Sequence, residues 1–261
     1  MKQVLCMLAG MVMVGSLVVM TTAEAAGPCS GLPSNAQLRT DLINAASGTG
    51  IAAALGTPGS GVGGLFAGTR MWGAVVNRDG ELCGFITSQT DPTQVWPGSQ
   101  AIAKAKAYTA NAFSLDTLAL STALLYTFVQ PGHSLYGLNN SNPFDPSFLA
   151  PPSGSGGGNA QIAGGIITFG GGVPLYAGGR IIGGLGVSGD TACTDHEIAK
   201  RARNLAGLDP PGGPTVDDIT YSSPDGASAF THPHCPNTVR NGVAVANPSA
   251  PPNNENPAVG Y

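Results

Sequence analysis

The sequence of 261 residues contains little charge: Asp, Glu, Lys and Arg make up 10% of it, and the formal net charge is −4. Coiled coils and long-helix proteins need many charged, helix-forming residues, so this composition excludes both classes. The chain is slightly acidic and has no dense run of Lys or Arg, which argues against a nucleic-acid-binding protein. We therefore expect no nucleic-acid partner.

Long hydrophobic runs are also missing after the first 26 residues. The one apolar stretch, residues 4–19, follows Lys2 and precedes small residues at 23–26 that are typical of a cleavage position. It contains two glycines and has no basic stop-transfer flank; a retained membrane anchor is the alternative. The pattern predicts a signal peptide over residues 1–26 and a short leader over 27–33. We expect a periplasmic or secreted protein whose mature chain does not insert into a membrane.

The cysteines form no CxxC pair, so their spacing argues against a structural zinc site. Cleavage of the signal peptide removes Cys6 and leaves Cys29, Cys83, Cys193 and Cys235. Four cysteines in an oxidising compartment predict two disulfides with three possible connectivities. We favour Cys29–Cys83 and Cys193–Cys235, since each bridge then ties an irregular terminal segment to a regular element. Buried free thiols are the alternative.

Glycine and proline are abundant, at 39 and 21 residues, while a hydrophobic content of 42% keeps the chain in the globular class. Two segments, 59–64 and 184–189, match GxGxxG. The second leads into a helix and then into a proline-rich stretch rather than a parallel strand, so it does not predict a dinucleotide site. Residues 186–190 resemble a nucleophile elbow but end in Asp instead of Gly. The sequence assigns no catalytic residue and favours binding over catalysis.

Periodicity and turn signals predict one domain over residues 34–208, followed by an extended Pro/Asn/Gly-rich tail over 209–261 that a disulfide holds. Tight hairpins rather than βαβ spacings indicate a mainly antiparallel sheet with helices packed on it. The expected elements are helices at 34–46, 100–113 and 117–128, a hairpin of 71–76 and 81–87, an irregular loop at 139–159, strands at 173–176 and 180–187, and a last helix opened by a Thr194–Glu197 capping box.

Five blocks in this order resemble the haem-binding HbpS/GlcG-like family, also called the haem-degrading family, to which the PduO C-terminal domain is similar. They are WGAVVNRDGELCGF (72–85), AKAKAYTANAF (103–113), QPGHSLYGLNNSNPF (130–144), FGGGVPLYAGGRIIGGLGVSGD (169–190) and CTDHEIAKRAR (193–203). The resemblance implies an α/β domain of the α+β, profilin-like type, a homo-oligomer and, in some members, bound haem.

The function that the resemblance implies is an exported haem-binding protein for haem storage, transfer or sensing, with slow haem degradation as a further option. A second hypothesis is a non-catalytic oligomeric accessory module of a periplasmic oxidation system that holds no haem. A third is an enzyme acting on a small organic acid or a corrinoid-like ligand.

An iron ligand would come from four histidines. His196, at the start of the predicted last helix, stays neutral there because the helix dipole disfavours imidazolium. His133, in a loop after a Pro-Gly helix stop, is the second candidate ligand. A capping role and an ordinary loop role are the respective alternatives. His232 and His234, beside Cys235, belong either to a metal cluster or to a disulfide-anchored tail.

Three residues of the 100–113 helix complete the predicted haem site. Thr109 lies on the apolar face and either bonds back to the Ala105 carbonyl or offers its hydroxyl to a ligand. Lys104 and Lys106 are candidates for pairing with a haem propionate, although a solvated surface role is the alternative for each. Other candidate cations for the propionates are Arg70, Arg78 and Arg180.

Overall fold

A four-stranded antiparallel sheet forms the centre of the protein. The computed structural model describes residues 29–145 and 162–245, so the predicted signal peptide lies outside it. The strands are β1 (Trp72–Asn77), β2 (Leu82–Thr87), β3 (Gly172–Ala177) and β4 (Arg180–Ser188). Their order is β2-β1-β4-β3, and all three neighbouring pairs are antiparallel. The predicted fold class is confirmed.

Three helices cover the two faces of this sheet. Helix α2 (Ser99–Phe113) packs on β4, β1 and β3, whereas α1 (Asn35–Ser47) and α3 (Ala192–Leu205) pack together on the opposite face. The main core lies between the sheet and the α1–α3 layer. Over the described ranges, none of the helices combines the length and apolar character that a membrane crossing requires.

Two glycines of β4 allow α2 to lie directly on the sheet. A Cβ atom at Gly184 would collide with the Ala107 carbonyl oxygen, and one at Gly186 with the Ala103 carbonyl oxygen. The second GxGxxG match therefore serves close backbone packing, as predicted, because only glycine leaves space for a helix backbone here.

The helix predicted over 117–128 is wrong. Leu115 and Leu118 exchange backbone hydrogen bonds of 2.8 and 3.1 Å and close a turn. The Asp116 carboxylate, just before the predicted helix, accepts the Ile181 N–H at 2.9 Å. The chain continues as two short 3₁₀ turns, Thr122–Leu125 and Thr127–Val129.

The predicted capping box of α3 is also wrong. The helix begins one turn earlier, and its N-cap is Thr191, whose hydroxyl oxygen accepts the Thr194 N–H at 3.3 Å. Glu197 does not reach back to the helix start, because it binds Lys200 at 2.9 Å and Arg201 at 2.8 Å.

Residues 209–245 pack against α3 instead of trailing into solvent. They contain one helical turn, α4 (Ser222–Asp225), and a small hairpin of β5 (Val239–Arg240) and β6 (Val243–Ala244). The Cys193–Cys235 disulfide joins this segment to α3, and Cys29–Cys83 joins the N-terminal segment to β2. Both predicted bridges are confirmed. The boundary at residue 208 stays a prediction.

Candidate functional site

An apolar cavity of about 230 Å³ lies beside α2. Ala101, Ile102 and Ala105 of the helix form one wall. The opposite walls come from the segments on either side of residues 146–161, which lie outside the described part of the chain; the lining residues are Asn139, Asn142, Phe144, Gly165, Ile166 and Ile167. The cavity can hold an apolar group and offers two side-chain amides at one wall.

Gly165 and Thr109 place the 165–167 wall against the helix. A Cβ atom at Gly165 would lie 2.8 Å from the Ala105 Cβ, and its φ of +82° also favours glycine. The Thr109 hydroxyl donates to the Ala105 carbonyl at 2.7 Å and accepts the Ile167 N–H at 3.0 Å. Of the two roles predicted for Thr109, the structure shows the bond to Ala105, and the hydroxyl also anchors the cavity wall.

The two amides at the cavity are held by neighbouring side chains. Asn142 donates to the Tyr108 hydroxyl at 2.9 Å, and Asn139 donates to the Thr168 hydroxyl at 3.3 Å. Sequence reasoning missed these asparagines, since it treated 139–159 as an irregular loop. The one sequence feature that could have indicated these asparagines is their position inside the 130–144 block, which resembles the family.

Lys104 lies on a different side of α2 from the cavity. Its Nζ is 4.1 Å from the centroid of the Phe85 ring, which stacks on Trp72. The residue is 3% exposed, and burial lowers the pKa of its ammonium. The structure does not bring Lys104 to the cavity, so a propionate contact from this residue stays a prediction that the geometry disfavours.

Lys106 forms a buried ion pair between α2 and α3. Its Nζ donates to Asp195 Oδ2 at 2.7 Å and to the Val187 carbonyl at 3.0 Å, and both charged side chains are fully enclosed. Burial lowers the pKa of Lys106, which Asp195 opposes. Burial raises the pKa of Asp195 to about 6, which Lys106 opposes. The pair links α2 and α3 at the C-terminal end of β4, and the Lys106 ammonium is not available to a ligand there.

His196 is fully buried on α3. Its Nε2 accepts the Ile219 N–H at 3.2 Å and lies 3.3 Å from Asp218 Oδ1. Among the described residues, its Nδ1 has no hydrogen-bond partner. This environment disfavours His196 as an axial ligand, because the 209–245 segment covers it. No sequence pattern had indicated this cover when His196 was predicted as an iron ligand.

His232 and His234 belong to the 209–245 segment itself and lie beside the disulfide. The His232 Nε2 accepts the Gly170 N–H at 3.2 Å, and burial lowers the pKa of this imidazole to about 3. Ligand atoms of Cys193, His232 and Cys235 lie within 4.8 Å of one another. Both sulfurs belong to the disulfide, so in this state the group is an anchor for the segment and not a metal site.

His133 is the one histidine of the sequence that is partly exposed; the other three are at most 3% exposed. It lies in the loop that follows the 3₁₀ turns and continues to the cavity-lining Asn139. Its backbone is fixed by two turns, in which its N–H donates to Gln130 and its carbonyl accepts from Tyr136. Its role as an iron ligand stays a prediction that this exposure permits.

Residues 66–204 match the family model described as haem degrading protein HbpS-like. The chain belongs to this family. The match begins just before β1 and ends within α3, so this HbpS-like region contains the whole main sheet, α2 and the cavity. The resemblance inferred from the five sequence blocks is confirmed.

Curated relatives match a smaller part of the HbpS-like region. The corrinoid adenosyltransferases PduO of Citrobacter freundii and Salmonella typhimurium are 35% and 36% identical over 104 residues, or 40% of this chain. The match spans 24% of the length of each. An uncharacterised 15.0 kDa protein from the dhaT-dhaS intergenic region of C. freundii is 35% identical over 97 residues, 37% of this chain and 51% of its own.

Solved structures similar to this chain include a PduOC:heme complex, at 24% identity and a TM-score of 0.44, covering 67% of this chain and 92% of that one. The Klebsiella pneumoniae protein ORFY is 26% identical with a TM-score of 0.39, covering 53% and 76%. HbpS itself is 20% identical with a TM-score of 0.37, covering 64% and 84%.

Proposed function

We propose that this protein is an exported haem-binding protein, and that the apolar cavity beside α2 receives one edge of the macrocycle. The observation that carries the proposal is the family match over residues 66–204. Export is supported by the signal-peptide pattern of residues 1–26 and by two disulfides, which persist in oxidising compartments.

The cavity fits part of a haem and not all of it. Its walls are apolar, as a porphyrin edge requires, but its 230 Å³ lies below the range of roughly 300–1,000 Å³ that is usual for ligand pockets. The rest of the macrocycle therefore needs cover from elsewhere. A second copy of the chain supplies it in this proposal, and the exposed side chains of Leu135, Tyr136 and Ile162, on the segments that reach the cavity, support such an interface.

His133 is the residue that we assign to the iron. It is partly exposed, whereas His196, under the 209–245 segment, and His232, within that segment, both use their Nε2 atoms to accept backbone N–H groups. In this assignment, Thr109 shapes the cavity wall and does not coordinate the metal. Haem would supply the redox-active iron, and the protein would supply the apolar slot and one ligand.

Hemin titration tests the proposal. A saturable Soret shift of defined stoichiometry is expected, and His133→Ala should change the spectrum of the bound haem. Ile102→Glu places a charge at the cavity and should weaken binding by about tenfold or more, since an unpaired charge resists burial. Ile43→Glu is the matched control, because Ile43 is 47% exposed on α1, across the sheet.

A featureless titration would refute haem binding and favour the accessory-module hypothesis. Size-exclusion chromatography with and without hemin tests the second copy. A chain that binds hemin fully as a monomer would contradict the shared site. A cobalamin titration in parallel tests the corrinoid alternative, which the PduO relatives favour.

A further inference from the structure

A second cleft, at the start of α2, combines an arginine with two aromatic rings. The guanidinium carbon of Arg70 lies 4.9 Å from the centroid of the Phe66 ring, and Phe66 meets Trp96 edge to face at 5.3 Å between centroids. These side chains line a cavity of about 150 Å³, to which Thr93 and Gln94 contribute polar groups. We call it the arginine cleft; none of its lining residues lines the α2 cavity.

The backbone that carries Arg70 is fixed on both sides. The Thr69 carbonyl accepts hydrogen bonds from the Ser88 hydroxyl and the Gln89 amide, both at 2.7 Å. The Met71 N–H donates to the Ser88 hydroxyl at 2.9 Å. The Arg70 side chain therefore extends from a rigid backbone segment just before β1, as a preorganised binding residue requires.

The backbone positions of the two aromatic residues are also fixed. Phe66 donates its N–H to Asp190 Oδ2 at 2.8 Å, in a loop where the same carboxylate also accepts the N–H groups of Leu65 and Gly68. Trp96 follows Val95, which is 2% exposed in the core beside Trp72 and Phe85. The walls of the cleft are thus held by buried structure, although Trp96 itself is 48% exposed.

The N–H donors of the Arg70 guanidinium are not used within the described part of the chain. Within the described ranges its guanidinium has no carboxylate partner and no hydrogen bond, whereas Arg201, Arg203 and Arg240 all pair with acids. The contact with Phe66 orients the guanidinium plane without using its N–H donors. An unpaired surface arginine says little alone, but this one lines a cavity with aromatic walls.

We propose that the arginine cleft binds the carboxylate of a small organic acid. A planar carboxylate matches the fork of Arg70, which can donate two parallel hydrogen bonds to it. Phe66 and Trp96 then contact the apolar part of the acid, and the amide of Gln94 is placed to meet a further polar group. This site goes beyond the haem proposal, because it uses other residues and another ligand class.

Benzoate titration of the haem-free protein, followed by tryptophan fluorescence at constant ionic strength, tests the proposal. Trp72 is 1% exposed and stacked on Phe85, so a ligand-induced change comes from Trp96. A saturable change is expected. Arg70→Gln should weaken binding by about tenfold or more, the usual size of a lost hydrogen-bonded charge contact. Arg70→Lys should be intermediate, since it keeps the charge and loses the fork.

Arg39→Gln is the matched control, because Arg39 lies on α1 and lines neither the arginine cleft nor the α2 cavity; it should bind benzoate as the wild type does. The proposal fails if the change in fluorescence stays linear with benzoate concentration, or if Arg70→Gln binds benzoate as tightly as the wild type. It also fails if inorganic phosphate competes with benzoate as well as acetate does. Because hemin binding is read from the Soret band, failure of one proposal leaves the other testable.

Discussion

The buried pair of Lys106 and Asp195 gives the sharpest test of how this fold is held together. Changing Lys106→Met keeps the apolar stem and removes the ammonium that lies 2.7 Å from Asp195. Breaking a buried pair from one side costs about 3–5 kcal/mol, because it leaves an uncompensated charge in the interior. Here Asp195 Oδ1 still accepts the N–H groups of Gly189 and Asp190, so we expect a loss near the lower limit, about 3 kcal/mol.

The loss should depend on pH in one direction. Burial already raises the pKa of Asp195 above its unfolded value, and removing Lys106 deletes the attraction that opposes this shift. The folded state of the variant then favours the protonated acid. Its penalty is therefore largest above the folded pKa, which exceeds 6, and shrinks as the pH falls through that value. The destabilisation by Lys106→Met should be smaller at pH 5 than at pH 8.

Urea unfolding at pH 5 and pH 8 measures the free energy of unfolding of three variants: Lys106→Met, the same change combined with Asp195→Asn, and Lys104→Met. Adding Asp195→Asn to Lys106→Met should recover most of the loss, since the amide oxygen keeps both backbone hydrogen bonds without a charge. Lys104→Met is the matched control on the same helix; its ammonium contacts the Phe85 ring, an interaction worth about 1 kcal/mol. A loss below about 1 kcal/mol for Lys106→Met, equal at both pH values, would refute the reasoning.

Three further predictions follow from the packing. Cys193→Ser with Cys235→Ser should lower the free energy of unfolding by up to about 4 kcal/mol, from the entropy of the 42-residue loop, as measured by urea unfolding. Gly186→Ala should destabilise by about 1–3 kcal/mol or more through collision with the Ala103 carbonyl, while Gly61→Ala, into open space, should be nearly neutral in thermal melts. Because the folded pKa of His232 is depressed to about 3, its contribution to stability falls as pH decreases from 6.5; His232→Gln should flatten that slope in pH-dependent melts.

Local signals made much of the fold predictable. Asp79-Gly80, between the two strands predicted at 71–76 and 81–87, is a typical hairpin turn, and Ser34 is a typical N-cap residue whose hydroxyl oxygen accepts the Gln37 N–H at 3.2 Å. Both depend on neighbours in sequence. The helix predicted over 117–128 failed because Asp116 found its partner at Ile181, 65 residues away, and no local pattern announces such a contact.

The candidate site was predictable only in part, because some of its contacts also join residues that are distant in sequence. Thr109 was placed correctly on the inner face of α2, since helical spacing decides that. Asn139 and Asn142 were missed, because a loop has no period from which the direction of a side chain follows. His196 was predicted as an iron ligand from its position at the start of the helix alone. It is buried in the structure, and its Nε2 accepts the N–H of Ile219, a residue 23 positions later in the sequence.

The charged residues of α3 show which side of the HbpS-like region the 209–245 segment covers. Lys200, Arg201 and Arg203 lie toward the C-terminal end of α3, and all three are fully buried. The 209–245 segment supplies acids for two of them: Lys200 binds Asp218 at 2.7 Å, and Arg203 binds Asp217 at 2.7 Å. A disulfide and buried ion pairs close this face, so a large ligand cannot reach His196 without displacing the segment. The α2 cavity and the arginine cleft, which this cover leaves open, are therefore the places where binding should be sought.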